Sequence, residues 1–145
     1  RIYDFANLAD RPHLAISLSS AHDELRDKLM PINKRWNIGA LMTAAKEFEA
    51  SLRRGERFTF EYVMLGGVND RVEQAAQLAS VLLPREAFKV NLIPYNPTGY
   101  YEGSSRNAIA AFKGVLDRAG IPATVRLTRG RDIDAACGQL AARAA

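Results

Sequence analysis

The stretch "FTFEYVMLGGVND", residues 58–70, decides the fold. Phe58, Phe60, Tyr62 and Met64 alternate with Thr59, Glu61 and Val63. In an extended chain that alternation puts an aromatic and aliphatic side opposite one bearing Thr59 and the Glu61 carboxylate. The segment 57–65 is therefore expected to be a strand with one face against a core, and "GGVND" the turn that ends it. Immediately afterwards the period changes. Ala75, Ala76, Leu78, Ala79 and Leu82 recur at helical spacing and predict a helix over 72–83.

Outward from that unit the same order repeats. "HLAISLS" (13–19) alternates as a strand, with Leu14, Ile16 and Leu18 opposed to Ala15, Ser17 and Ser19. "SAHDELRDKLM" reads as a short helix stopped by Pro31, "PINKRWNI" as a basic connector, and 38–54 as a helix carrying Leu41, Met42, Ala45, Phe48 and Leu52. Downstream, "FKVNLIPYN" (88–96) is a strand in which Asn91 and Ile93 oppose Val90 and Leu92. "NPTGYYEGSS" is a loop. A helix capped by Ser104 or Ser105 runs to about Ala119, with Gly120 at its stop. "ATVRLTR" (123–129) is a fourth strand, and Asp132 is placed to cap a last helix to about Ala142. Strand and helix in regular alternation specify an α/β class with a parallel sheet. A closed eight-stranded barrel needs about 200 residues or more, so 145 residues supply a small open sheet or half of a larger barrel.

In a barrel one strand face meets the helices and the opposed, polar face points inward. A half-buried Glu61 there wants a partner, and Arg126 on the fourth strand is the nearest candidate. Parallel α/β sites form at the carboxyl ends of strands. Those ends carry Ser17 to Ser19, "GGVND", Asn96 and "TRGRD".

Composition sets limits on function. Apolar content of 48% and charged content of 25% are those of a globular domain, and no apolar run is long enough to span a bilayer. The start at Arg1, without a signal peptide, reads as a piece of something longer, and the cytoplasm is the expected location. The net charge of +4 permits a polyanionic partner without requiring one. Basic clusters at Lys34–Arg35, at Arg53, Arg54 and Arg57, and at Arg126, Arg129 and Arg131 are candidate phosphate contacts. Trp36 is expected to be partly in the core. His13 and His22 do not stand at ligand spacing, so no metal site is expected. Nucleophile-elbow and phosphate-loop motifs are lacking.

One nucleophile is left. Cys137 is the only cysteine, flanked by Ala135, Ala136 and Gly138 and preceded by Arg126, Arg129 and Arg131. Small neighbours leave the thiol open and the arginines favour its thiolate. A lone helical cysteine is also commonly a small buried hydrophobe. The residues alone leave both readings open.

"RGRDIDAACGQL" (129–140), "DELRDKLMPINKRW" (23–36), "FTFEYVMLGGVND" and "KVNLIPYNP" (89–97), in this order, resemble the C-terminal half of the RlmN family. These are radical S-adenosylmethionine enzymes that methylate adenine C2 in 23S ribosomal RNA and in transfer RNA. The resemblance implies the C-terminal half of a partial (β/α) radical-SAM barrel, with 1–145 as a single unit. It implies that Cys137 is the cysteine that becomes S-methylcysteine, and that Ser17, Leu18, Ser19 and Asn96 bind S-adenosylmethionine. It further implies a 4Fe-4S cluster whose three cysteine ligands lie outside this chain. The expected partners are 23S rRNA and tRNA, with no membrane, in a monomeric cytoplasmic enzyme. The 145-residue chain alone is expected to be inactive. The family commonly has His or Asn where this chain has Ser19, and "NPTGYYEGSS" looks short for the family. Alternatives are the sister family that methylates adenine C8, for which "RGRDID" is the poorer match, and a half-barrel that binds RNA without catalysis.

Overall fold

The computed structural model describes residues 2–9, 13–53, 55–97 and 99–126. Cys137, "TRGRD" and the expected last helix lie outside them. Four strands, β1 (Ala15–Ser17), β2 (Phe58–Met64), β3 (Phe88–Pro94) and β4 (Ala123–Val125), form one sheet in the order β1-β2-β3-β4. All three pairings are parallel. The helices are α1 (Ile2–Ala6), α2 (Asp23–Leu29), α3 (Ile38–Glu49), α4 (Val72–Val81) and α5 (Arg106–Arg118). Chain order and spatial order coincide, as repeated strand–helix crossovers produce.

The alternation in 58–64 is realised residue by residue. Phe58, Phe60, Tyr62 and Met64 are buried, while Thr59, Glu61 and Val63 on the opposite face are partly open. Phe88, Val90 and Leu92 continue the buried face on β3. Helical residues Ala45, Phe48, Leu78, Phe112 and Leu116 close over it. Phe58 stands at the centre of an aromatic cluster, 5.8 Å from Phe48, 5.0 Å from Phe60 and 6.3 Å from Phe88 between ring centroids. These tilted and edge-on contacts add to the area each ring removes from water.

Local signals set the helix ends. Asn37 caps α3 by accepting from the Ala40 N–H, and of the two candidate serines it is Ser105 that caps α5, through Ala108 N–H. Gly120, at φ +81°, follows α5 in the left-handed region. Several expectations change. Residues 2–6, for which the sequence predicts no element, are helical, and α1 packs on α3. The connector begins with a 3-10 helix, Pro31–Lys34, since proline suits a helical first turn. Trp36 is 56% exposed, with the Arg35 guanidinium 5.4 Å from its ring centroid. Glu61 and Arg126 form no ion pair. The fourth strand is separated from the second by β3, and Glu61, only partly buried, keeps access to water. Among the described residues no helix is long and apolar enough to cross a membrane.

Candidate functional site at the strand ends

The first strand ends in a held, strained corner. After Ser17 the chain continues through Leu18, whose N–H donates to the Glu61 carbonyl at 2.8 Å. Leu18 is fully buried, so its neighbours Ser17 and Ser19 turn toward the opposite side. Ser19 takes φ +55°, a left-handed value uncommon for a residue with a Cβ, while Ser20 N–H donates back to Leu18 O at 2.8 Å. Such a backbone persists only where its surroundings hold it.

Two buried side chains do the holding. Arg26, 3% exposed, donates from Nε to Leu18 O at 3.0 Å and from Nη2 to Ser17 O at 3.1 Å. Its Nη1 donates to Asn33 Oδ1 at 2.6 Å. Asn33 Nδ2 in turn donates to Asp23 and Asp27, and Asp23 also accepts the Ile38 N–H at 2.9 Å. Burial pulls the Arg26 pKa below its ordinary value, an effect opposed by the charges of Asp23 and Asp27. The Ile38 N–H bond, then the Asn33 bond, holds Asp23 below the usual carboxylate range.

On the other side, fully buried Asn69 donates from Nδ2 to Ser19 O at 2.9 Å and to Val63 O at 2.7 Å. Its Oδ1 accepts the Leu65 N–H at 2.7 Å, and its carbonyl accepts the Tyr62 hydroxyl at 2.8 Å. Thus "GGVND" is a clamp that joins the ends of β1 and β2. Arg26 and Asn69 went unremarked in the sequence reading. The signal available was a long polar side chain soon after each strand, but a polar residue there reads equally well as solvated.

Beside this corner lies a cleft of about 380 Å³, within the range of small-molecule sites. Ser17 and Ser19 supply hydroxyls; Leu29, Met30, Val63, Leu65, Tyr95, Tyr100 and Tyr101 complete the walls. The tyrosine loop folds back to form its rim. Tyr101 stacks edge-on to Tyr95 at 6.2 Å, Gly103 bridges to Leu65, and Gly66 N–H donates to Glu102 O at 2.9 Å. A Cβ at Gly66 would meet Gly103 O at 2.9 Å, so this approach requires glycine.

Of the expected cofactor residues, Ser17 and Ser19 come together in the cleft. Leu18 gives its side chain to the core and leaves only backbone to a ligand. Asn96 is buried just beyond β3, next to Tyr95, and is not among the lining residues. Hydroxyls beside apolar and aromatic walls suit an amphiphilic nucleoside with a sulfonium, as S-adenosylmethionine is. An iron–sulfur cluster does not fit this chain's residues. It has one cysteine, and no three His, Cys, Asp or Glu side chains converge among the described residues.

No protein-family model matches the chain. It is 51% identical over 142 residues to a probable dual-specificity RNA methyltransferase RlmN of Koribacter versatilis, covering 97% of this chain and 40% of that protein. The dual-specificity RNA methyltransferase RlmN of Psychrobacter arcticus is 48% identical, over 100% of this chain and 36% of its own. The chain thus spans about two-fifths of the length of the curated relatives it matches. The crystal structure of a radical SAM methyltransferase from Sphaerobacter thermophilus superposes with a TM-score of 0.88 at 43% identity, covering 95% of this chain and 40% of that one. A domain of a pyruvate-formate lyase-activating enzyme from Bacteroides vulgatus, at 16% identity and a TM-score of 0.68, shares the fold.

Proposed function

Homologous over nearly its whole length to a segment of the RlmN dual-specificity RNA methyltransferases, this chain, we propose, is part of a radical S-adenosylmethionine enzyme that methylates adenine C2 in 23S ribosomal RNA and transfer RNA. The observation that carries the reading is the clamped corner at Ser17 to Ser19 opening into an aromatic cleft, in a chain of this kinship.

Within that reading the cleft holds S-adenosylmethionine. The Ser17 and Ser19 hydroxyls would hydrogen-bond its polar groups, with the Leu18 backbone alongside; the resemblance adds Asn96, which does not itself line the cleft. Tyrosine faces accommodate its adenine and its sulfonium charge. When bound, the cofactor supplies an electrophilic methyl group. Cys137, as its thiolate, would be the acceptor of that methyl group, leaving the cofactor as a neutral thioether. Cys137 then carries the methyl group as a thioether. Adenine C2 lies between two electron-withdrawing ring nitrogens and is a poor nucleophile, so neither the sulfonium nor the thioether methyl would transfer to it by displacement; the methyl carried on Cys137 would first have to lose a hydrogen atom, radical chemistry that the cofactor and a cluster held outside this chain would supply. The cluster has no ligands in this chain, and 145 residues alone are expected to be inactive.

The test is nucleoside mass spectrometry against authentic standards, on ribosomal and transfer RNA treated with the cluster-loaded holoenzyme. 2-Methyladenosine is expected, and Cys137→Ala abolishes it. 8-Methyladenosine in its place moves the assignment to C8 chemistry. Undiminished methylation by Cys137→Ala refutes the carrier role.

A further inference from the structure

Register places four polar side chains on one rung of the sheet's open face. Ser17 pairs with Glu61, Glu61 with Asn91, and Asn91 with Thr124. Strands about 4.8 Å apart bring the side chains of such partners side by side. The row begins at the cleft, because Ser17 also lines it. The apolar face is closed by helices, whereas all four of these residues keep some exposure. Thr124 Oγ1 donates to Asn91 Oδ1 at 3.3 Å, which leaves the Asn91 amide hydrogens free to donate outward. The Glu61 carboxylate makes no hydrogen bond or ion pair among the described residues, although its backbone carbonyl accepts from Leu18. The sheet thus presents a carboxylate that only accepts, beside an amide that is left to donate.

We propose that Glu61 and Asn91 read the target base: Glu61 accepts from the exocyclic N6 amino group of adenine, and the Asn91 amide donates to the ring nitrogen beside it. This rests on the adenine-methylation reading above. Adenine displays an amino donor next to a ring-nitrogen acceptor, which is the complement of this pair. Guanine would set its O6 acceptor against the carboxylate, a repulsion that rejects it. Neither residue belongs to the cofactor set of Ser17, Leu18, Ser19 and Asn96. The row thus places base recognition next to the cofactor cleft, on the open face of the sheet.

The experiment compares methylation by the holoenzyme of RNA carrying adenosine, or purine riboside without the N6 amino group, at the target position. Wild type is expected to prefer adenosine by about tenfold or more, as a site built to pair an amino group does. Glu61→Met, which cannot accept a hydrogen bond, lowers the adenosine rate and brings the preference within about threefold. Glu61→Asp keeps the charge, withdraws it by one methylene and gives an intermediate ratio; it also serves if Glu61→Met fails to fold by circular dichroism. Equal wild-type rates on the two bases overturn the proposal. So does a full preference retained by a folded Glu61 variant. Failure of wild type to methylate adenosine at all overturns the underlying reading instead, and is distinguished by that control.

Discussion

Arg26 Nε lies 3.0 Å from the carbonyl oxygen of Leu18, and that bond ties α2 back onto the end of the strand it follows. The same guanidinium reaches Ser17 O, so one side chain fixes two consecutive carbonyls of the cofactor corner. Replacing it leaves both without this donor and Asn33 Oδ1 without its partner. Arg26→Met is expected to cost about 2–4 kcal/mol, measured as a shift in the urea midpoint. Arg26→Lys recovers only part of this, because an ammonium does not reproduce the planar fork. An Arg26→Met variant as stable as wild type would remove the clamp from the account.

Asn69 is the second anchor. Asn69→Ala strands the buried Leu65 N–H and removes the donor to Ser19 O and Val63 O, for an expected loss of about 2–4 kcal/mol. Its partner Tyr62 is separately testable. Burial pushes the Tyr62 hydroxyl well above the ordinary tyrosine range, with a smaller contribution from the Asp70 charge. In an ultraviolet alkaline titration the Tyr62 increment should appear only on unfolding, and Tyr62→Phe should delete that step.

Acid should loosen the α2 end of the site. Asp23 is held below its ordinary 3.8 by the Ile38 N–H and Asn33, and Asp117 likewise by the Lys113 ammonium and, to a smaller extent, the Ala123 N–H. A carboxylate with a depressed folded pKa contributes stability that is present above its unfolded pKa and is lost as pH falls through the folded value. Urea midpoints should therefore decline between about pH 5 and pH 2, with a shallower decline in Asp23→Ala. An identical acid slope in that variant would contradict the assignment.

Gly66→Ala tests the rim of the cleft. Its new Cβ would have to displace the Gly103 backbone. The expected cost is about 1–3 kcal/mol, with weaker binding of S-adenosylmethionine by calorimetry as the tyrosine loop shifts. Gly67→Ala, at φ +68° with nothing within 4 Å of the added atom, strains the backbone instead and should leave the loop seated.

The sheet was readable because each strand alternates cleanly: Phe58 to Met64 needs no tertiary information to show which face is buried. The side of Ser17 and Ser19 followed from Leu18 by the same rule. The left-handed turn at Ser19 was not readable, since serine has no preference that announces it, unlike asparagine or glycine. Arg26 and Asn33 escaped notice because charged and amide side chains are mostly exposed, and only the fold reveals that they meet under the strand end. Trp36 was misjudged for the converse reason: a large aromatic ring is ordinarily covered, but here it stands outward under Arg35. The Glu61–Arg126 pairing failed because strand order, not sequence distance, decides which side chains are neighbours.

The most direct measurement is peptide mass spectrometry across Ile133–Leu140 on the cluster-containing holoenzyme purified from cells. The account predicts that Cys137 carries one added methyl group. A Cys137 that remains a free thiol with the cluster intact and S-adenosylmethionine supplied would contradict it.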